Sequence, residues 1–132
     1  METLKGSLTE KNLARAFFSE SANIRKYEIF SKQAKREGFE QIAAIFLEVA
    51  EQKRSHTKTM YKFMEGSSLD IMIPFTNKGI GPTLEGLREA AITELDESRS
   101  VFEEYERIAW EEGFKRIATK FKLFRRIKQF YS

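Results

Sequence analysis

Apolar side chains recur along four stretches of the chain at steps of three and four, the spacing that gathers residues onto one face of a helix. The first stretch runs Leu13, Phe17, Ile24, Tyr27, and the second Phe39, Ile42, Phe46, Val49, Met60, Phe63. The third runs Leu84, Leu87, Ala91, Val101, Tyr105, Ile108, and the fourth Phe114, Ile117, Phe121, Phe124. Four amphipathic helices are predicted. Each stripe is broken by polar residues at positions that should be inside: Glu20 on the first, Lys53 and His56 on the second, Glu94 and Glu97 on the third, Lys128 and Tyr131 on the fourth. These seven are expected to form a buried polar layer in a helical bundle.

Their heights agree. Gly38 and Gly113 are the expected breaks between antiparallel neighbours. Glu20 lies 18 residues before Gly38, and Lys53 and His56 lie 15 and 18 after it. Glu94 and Glu97 lie 19 and 16 before Gly113, and Lys128 and Tyr131 lie 15 and 18 after it. At 1.5 Å per residue all seven stand about 22–28 Å from the turns.

The chain also repeats itself. Glu37-Gly38-Phe39 through Phe46 matches Glu112-Gly113-Phe114 through Phe121 at an offset of 75, which pairs Lys53 with Lys128, His56 with Tyr131 and Tyr27 with Phe102. Glu20 precedes Glu37 by 17 whereas Glu94 precedes Glu112 by 18, so one extra residue lies between Glu94 and Phe102. That insertion predicts a π-bulge in the third helix, able to turn both Glu94 and Glu97 inward. Between the two hairpins runs Gly66 to Pro82, rich in Gly and Pro and too long for a tight turn. It is read as a crossover that keeps helices two and three parallel. Thr9 with Glu10, and Thr83 with Glu85, mark the expected starts of helices one and three. The fold class is all-α: a single domain over 1–132, a four-helix bundle of the ferritin-like arrangement with one long crossover between helices two and three.

Composition limits the chemistry. The chain has no cysteine, which excludes disulfides and cysteine-ligated zinc or iron–sulfur centres within it. No cationic start precedes an apolar run and no apolar stretch is long enough to span a membrane, so a cytoplasmic protein is expected. Net charge is +3 but unevenly placed: Thr83 to Glu112 carries ten acids against three arginines, and Gly113 onward carries seven basic residues and no acid. The simplest expectation is that helices three and four neutralise each other. The sharper one is that Lys115, Arg116, Lys120, Lys122, Arg125 and Arg126 face an anionic protein partner. Nucleic acid is not favoured, for want of a base-reading motif.

Leu4-Lys5-Gly6-Ser7 with Thr9 through Leu13, Ala16-Phe17, Glu20-Ser21, Tyr27 and the segment EGFEQIAAIF together resemble the ferritin-like domain of rubrerythrin, up to about Phe121. The resemblance implies a non-haem diiron centre that reduces hydrogen peroxide, usually supplied with electrons by a cysteine-ligated rubredoxin module; with no cysteine in the sequence, no such module is expected here. It also implies ligands from a glutamate on helix one, Glu-x-x-His on helix two, two glutamates on helix three and Glu-x-x-His on helix four. Glu20, His56, Glu94 and Glu97 match such positions. Where the two bridging glutamates belong, the chain has Lys53 and Lys128, and Tyr131 stands for the second histidine.

Three clustered carboxylates without metal repel and desolvate at a cost on the order of several kcal/mol. Two ammonium groups would supply counter-charge and hydrogen-bond donors, and a protonated lysine is no metal ligand. The expectation is a degenerate site, a buried Lys–Glu network with no cofactor and no catalytic residue, in a structural or partner-binding subunit. The alternative is a non-haem iron oxidoreductase that reduces peroxide or oxygen at a reduced site of Glu20, His56, Glu94 and Glu97. Apolar surplus on helix four, from Phe121, Leu123, Phe124, Ile127, Phe130 and Tyr131, points to a homodimer, with helical hairpins exchanged between subunits as one form it could take.

Overall fold

The computed structural model describes residues 3–131, with side chains described from 3 to 126. Helix α1 spans Leu8–Arg36, α2 Glu40–Phe63, α3 Thr83–Asp96, α4 Phe102–Glu111 and α5 Lys115–Tyr131, and a π-helical segment, Glu97–Val101, joins α3 to α4. Counting α3, the π segment and α4 as one broken rod, the chain is a four-helix bundle of the ferritin-like kind. α1 packs along α2, α5 packs along α4 and α3, and the two hairpins meet through α1 against α3 and α4 and through α2 against α5. No helix among the described residues is long and apolar enough to cross a membrane.

The turn after each hairpin's first rod is built alike. Gly38 and Gly113 take left-handed φ angles of 85° and 90°, which glycine adopts without a Cβ clash. Phe39 N–H donates to Ala34 C=O and Phe114 N–H to Ala109 C=O, both at 2.8 Å, closing the same helix-end motif twice. Ala34 and Ala109 are both fully buried. The internal repeat is thus a repeat of structure as well as sequence.

Ser7, rather than Thr9, caps α1: its hydroxyl accepts the Glu10 N–H at 3.0 Å, and the Glu10 carboxylate reaches back to the Gly6 N–H. The first helix start therefore lies two residues earlier than expected, with Thr9 inside the first turn. Residues 66–82 contain no helix or strand and carry Met72 and Phe75 at 85% and 81% exposure.

The third stripe requires correction. Leu84, Ala91 and Val101 face outward, and the buried positions are Thr83, Gly86, Ala90, Glu94, Ser98, Phe102 and Ala109. α3 approaches α1 so closely that a Cβ on Gly86 would stand 3.3 Å from the Phe30 ring. Small residues, not the larger apolar ones beside them, therefore mark its inner face. Past the π segment the phase shifts by one, and Phe102 takes the inward place that the stripe gave to Val101. Phe39 on the second stripe is also exposed, whereas on α5 Phe121 and Phe124 are buried and Leu123 is exposed.

Candidate functional site

Two apolar clusters fill the bundle. One gathers Ile24, Tyr27, Phe30, Phe46, Val49, Ala50 and Ala90; the other gathers Leu13, Ala16, Met60, Phe102, Ala109, Ile117, Ala118, Phe121 and Phe124. On α1 the sequence between them holds Glu20, and on α2 it holds Lys53 and His56. The polar layer divides the core in two.

Lys53 is its hub. The side chain is 2% exposed, and Nζ donates to Glu20 Oε2 at 2.5 Å and to Glu94 Oε1 at 2.7 Å. Glu97 Oε2 stands 4.0 Å from the same nitrogen. Three elements thus converge on one ammonium: α1 through Glu20, α3 through Glu94, and the first residue of the π segment through Glu97. Such charge-assisted bonds are short and strong, and in a buried site their loss leaves uncompensated charge.

Tyr27 extends the network. Its hydroxyl donates to Glu94 Oε2 at 2.8 Å, so Glu94 is shared between phenol and ammonium, and Lys53 Nζ lies 5.7 Å from the Tyr27 ring centroid. Burial, followed by the charge of Glu94, pushes the Tyr27 phenol far above its ordinary range, which keeps it a donor. On the outer side, Asn23 Nδ2 donates to Glu97 Oε1 at 3.1 Å. Asn23 was not among the residues picked out in the sequence; its signal was its place one turn after Glu20.

His56 is buried, with its ring 4.3 Å from that of Phe124 in a tilted stack. Lys128 and Tyr131 belong to α5, but their side chains lie outside the described residues. The structure therefore brings Glu20, Lys53, Glu94 and Glu97 to one point and places His56 on the α5 side of the same core.

Among the described residues, no group of three or more His, Asp or Glu side chains is placed to hold a metal ion. The position from which one cation would touch both Glu20 and Glu94 is that of Lys53 Nζ.

Below the surface, Thr9 and Thr83 tie the hairpins together. Glu112, in the turn after α4, accepts from the Thr9 hydroxyl at 2.5 Å and from the N–H groups of Thr9 and Leu8 at 2.7 and 3.1 Å. Glu37, in the turn after α1, accepts in the same way from Thr83. Each turn carboxylate satisfies open N–H groups at the first turn of the other hairpin's leading helix.

A family model described as Rubrerythrin matches residues 11–129. The chain is 42% identical over 127 residues to a protein named Rubrerythrin from Porphyromonas gingivalis, covering 96% of this chain and 64% of that one. It is 43% identical over 121 residues to a Rubrerythrin from Nitratidesulfovibrio vulgaris, covering 92% and 63%. To Rubrerythrin-1 of Clostridium acetobutylicum it is 35% identical over 133 residues, covering 98% and 68%. The chain spans less than two thirds of the length of the first two relatives.

Proposed function

Since the chain belongs to the rubrerythrin family, we propose that it is a member whose diiron site is degenerate, with Lys53 serving as a built-in cation in place of metal, and that it works as a structural or partner-binding subunit. One observation carries this reading: Lys53 Nζ lies at hydrogen-bond distance from both Glu20 and Glu94. A metal ion drawn to the same carboxylates would have to displace the ammonium or sit beside it, and like charges a few ångströms apart in a dry core repel by several kcal/mol. The internal repeat sets Lys128 at the matching turn of α5, where a second ammonium would balance the remaining carboxylate charge.

A mononuclear site of Glu20, His56, Glu94 and Glu97 would need Lys53 withdrawn from two carboxylates at once. Breaking a buried pair in this way costs about 3–5 kcal/mol, so the iron-dependent alternative is the weaker reading. Assembly as a homodimer belongs to the same proposal, supported by the exposed apolar side chains of the crossover.

The test is reconstitution. Ferrous iron added without oxygen and then exposed to air should give no oxo-bridged diiron absorption, and hydrogen peroxide should not be turned over. Stoichiometric uptake of two irons per chain with peroxide turnover would overturn the reading.

A further inference from the structure

Among the described residues, most acids of the third rod that form ion pairs or side-chain hydrogen bonds do so away from α5. Glu89 pairs with Lys26 on α1, Glu94 and Glu97 face Lys53, Glu104 and Glu111 both hold Arg107 at 2.9 Å, and Glu112 is taken up by Leu8 and Thr9. Among the described side chains, Glu106 is the acid of this rod that pairs with a cation of α5, Arg125, at 3.0 Å. Lys115, Arg116, Lys120, Lys122 and Arg126 are exposed and, among the described residues, make no ion pair with any acid. Among the described residues, the expected mutual neutralisation is thus seen in the pair Glu106–Arg125.

These five cations share one face. At 100° per residue they lie with Thr119 and Leu123 on a continuous arc of roughly 160°, opposite the buried Ile117, Ala118, Phe121 and Phe124. Leu123, 46% exposed, stands within the arc with cations on both sides. Two further features set this face apart from an ordinary solvated one. Lys115 and Arg116 occupy the first turn of α5, which holds no acid, although the positive end of a helix disfavours cations. Trp110, 59% exposed, extends the face at that end, with Lys115 Nζ 5.9 Å from its ring.

We propose that the outer face of α5 is a docking surface for an acidic protein segment whose carboxylates meet the five cations and whose apolar side chain covers Leu123. An apolar centre inside a charged rim is the anatomy of a protein–protein contact. A nucleic-acid duplex would satisfy the cations but leave Leu123 without a counterpart, and α5 lies flat against its neighbours rather than protruding toward a groove. Anionic residues on the partner would also relieve the cations at the helix N-terminus. The inference deepens the partner-binding part of the function proposed above but stands on charge and exposure alone; its failure would leave the iron result at Lys53 unchanged.

The experiment uses the full chain and three probes: a synthetic Glu/Asp peptide with one central Leu, the same peptide with Ser at that place, and a mixed-sequence DNA duplex. Binding is followed by Trp110 fluorescence and by backbone amide shifts at low and at physiological salt. The Leu peptide should bind with shifts centred on Arg116, Lys120 and Leu123, more tightly than the Ser peptide and the duplex. Arg116→Glu with Lys120→Glu should weaken it by about tenfold or more, chiefly through slower association. Leu123→Ser should remove the advantage of the Leu peptide. Wild-type amide shifts locate the contact even if a variant folds poorly. Tighter binding of the duplex through the same residues would replace the proposal with a nucleic-acid surface. Self-association lost on charge reversal would assign the face to a second copy, and no binding of the peptide, or binding indifferent to these substitutions, would also overturn it.

Discussion

Glu37 and Thr83 are joined twice, the carboxylate accepting the threonine hydroxyl at 2.8 Å and its backbone N–H at 3.0 Å, although 46 residues separate them. Glu112 and Thr9 repeat the arrangement at the other end of the bundle. The Thr83 hydroxyl holds the Glu37 carboxyl below its ordinary value of 4.5. For Glu112, burial alone would raise the value, but the bonds from Thr9 and Leu8 outweigh it and leave the group lowered.

The sign of the pH effect follows. A carboxyl whose folded value is depressed contributes stability that is fully present above its unfolded value and is lost as pH falls through the folded one. Urea unfolding midpoints should therefore drop as pH falls below the ordinary carboxyl value. Glu37→Gln and Glu112→Gln should each flatten that drop and lower stability at neutral pH. Midpoints of the double variant that track wild type across the acid range would show that these caps contribute nothing to it.

Lys53→Met keeps the bulk of the side chain and removes the charge, leaving Glu20 and Glu94 buried without their shared donor. Removing one partner of such a network costs about 3–5 kcal/mol, readable in denaturant unfolding. A variant that melts with wild type would mean that the ammonium is not the hub of the layer.

Lys53→Glu with Lys128→Glu turns the layer into a carboxylate cluster. Alone it should be less stable than wild type, and Fe(II) or Zn(II) should rescue it; metal at 100 times its dissociation constant would add about 2.7 kcal/mol. Thermal unfolding with and without metal reads this directly. Indifference of the double variant to metal would place the two lysines in separate environments.

Gly86 faces the Phe30 ring, and a Cβ there stands 3.3 Å from it. Gly86→Leu should therefore cost about 1–3 kcal/mol through overpacking, despite the better helix propensity of leucine. Unfolding free energies no lower than wild type would mean that α3 can move away from α1 at little cost.

As a monomer the chain leaves Met72 and Phe75 in water, and apolar area in water costs about 25 cal/mol per Å². Sedimentation at micromolar concentration is expected to show a dimer, and Met72→Ser with Phe75→Ser to weaken it. A wild-type monomer under those conditions would remove the dimer from the proposed function.

Much of this arrangement was legible in sequence because it depends on period and repeat. Glu20 and Lys53 could be set at similar depth by counting from Gly38, Glu94 fell near mid-bundle on counting from Gly113 at the other end, and the extra residue before Phe102 located the π segment at Glu97–Val101. On the third stripe apolar size is a poor sign of burial, because the closeness of α3 to α1 selects Gly86 and Ala90. The repeat already carried the remedy, since it matched Phe102 with Tyr27, and both are buried. The caps between Glu112 and Thr9 and between Glu37 and Thr83 left no local trace, because their partners lie 103 and 46 residues apart. Composition counts acids, and only geometry shows that Glu89, Glu104 and Glu111 are already engaged away from α5.

The crossed caps bear on the order in which the molecule can be made. A hairpin of α1 and α2 by itself would have a leading helix whose first turn lacks Glu112, and a turn carboxylate with no Thr83 to receive. The second hairpin would lack the mirror-image pieces, and in the first Lys53 would have Glu20 beside it but not Glu94. Neither half holds a finished version of its own ends. The hairpins should therefore become native together, in one cooperative step, and a chain stalled between them on the way out of a ribosome would hold two half-built ends waiting for a partner still to be translated.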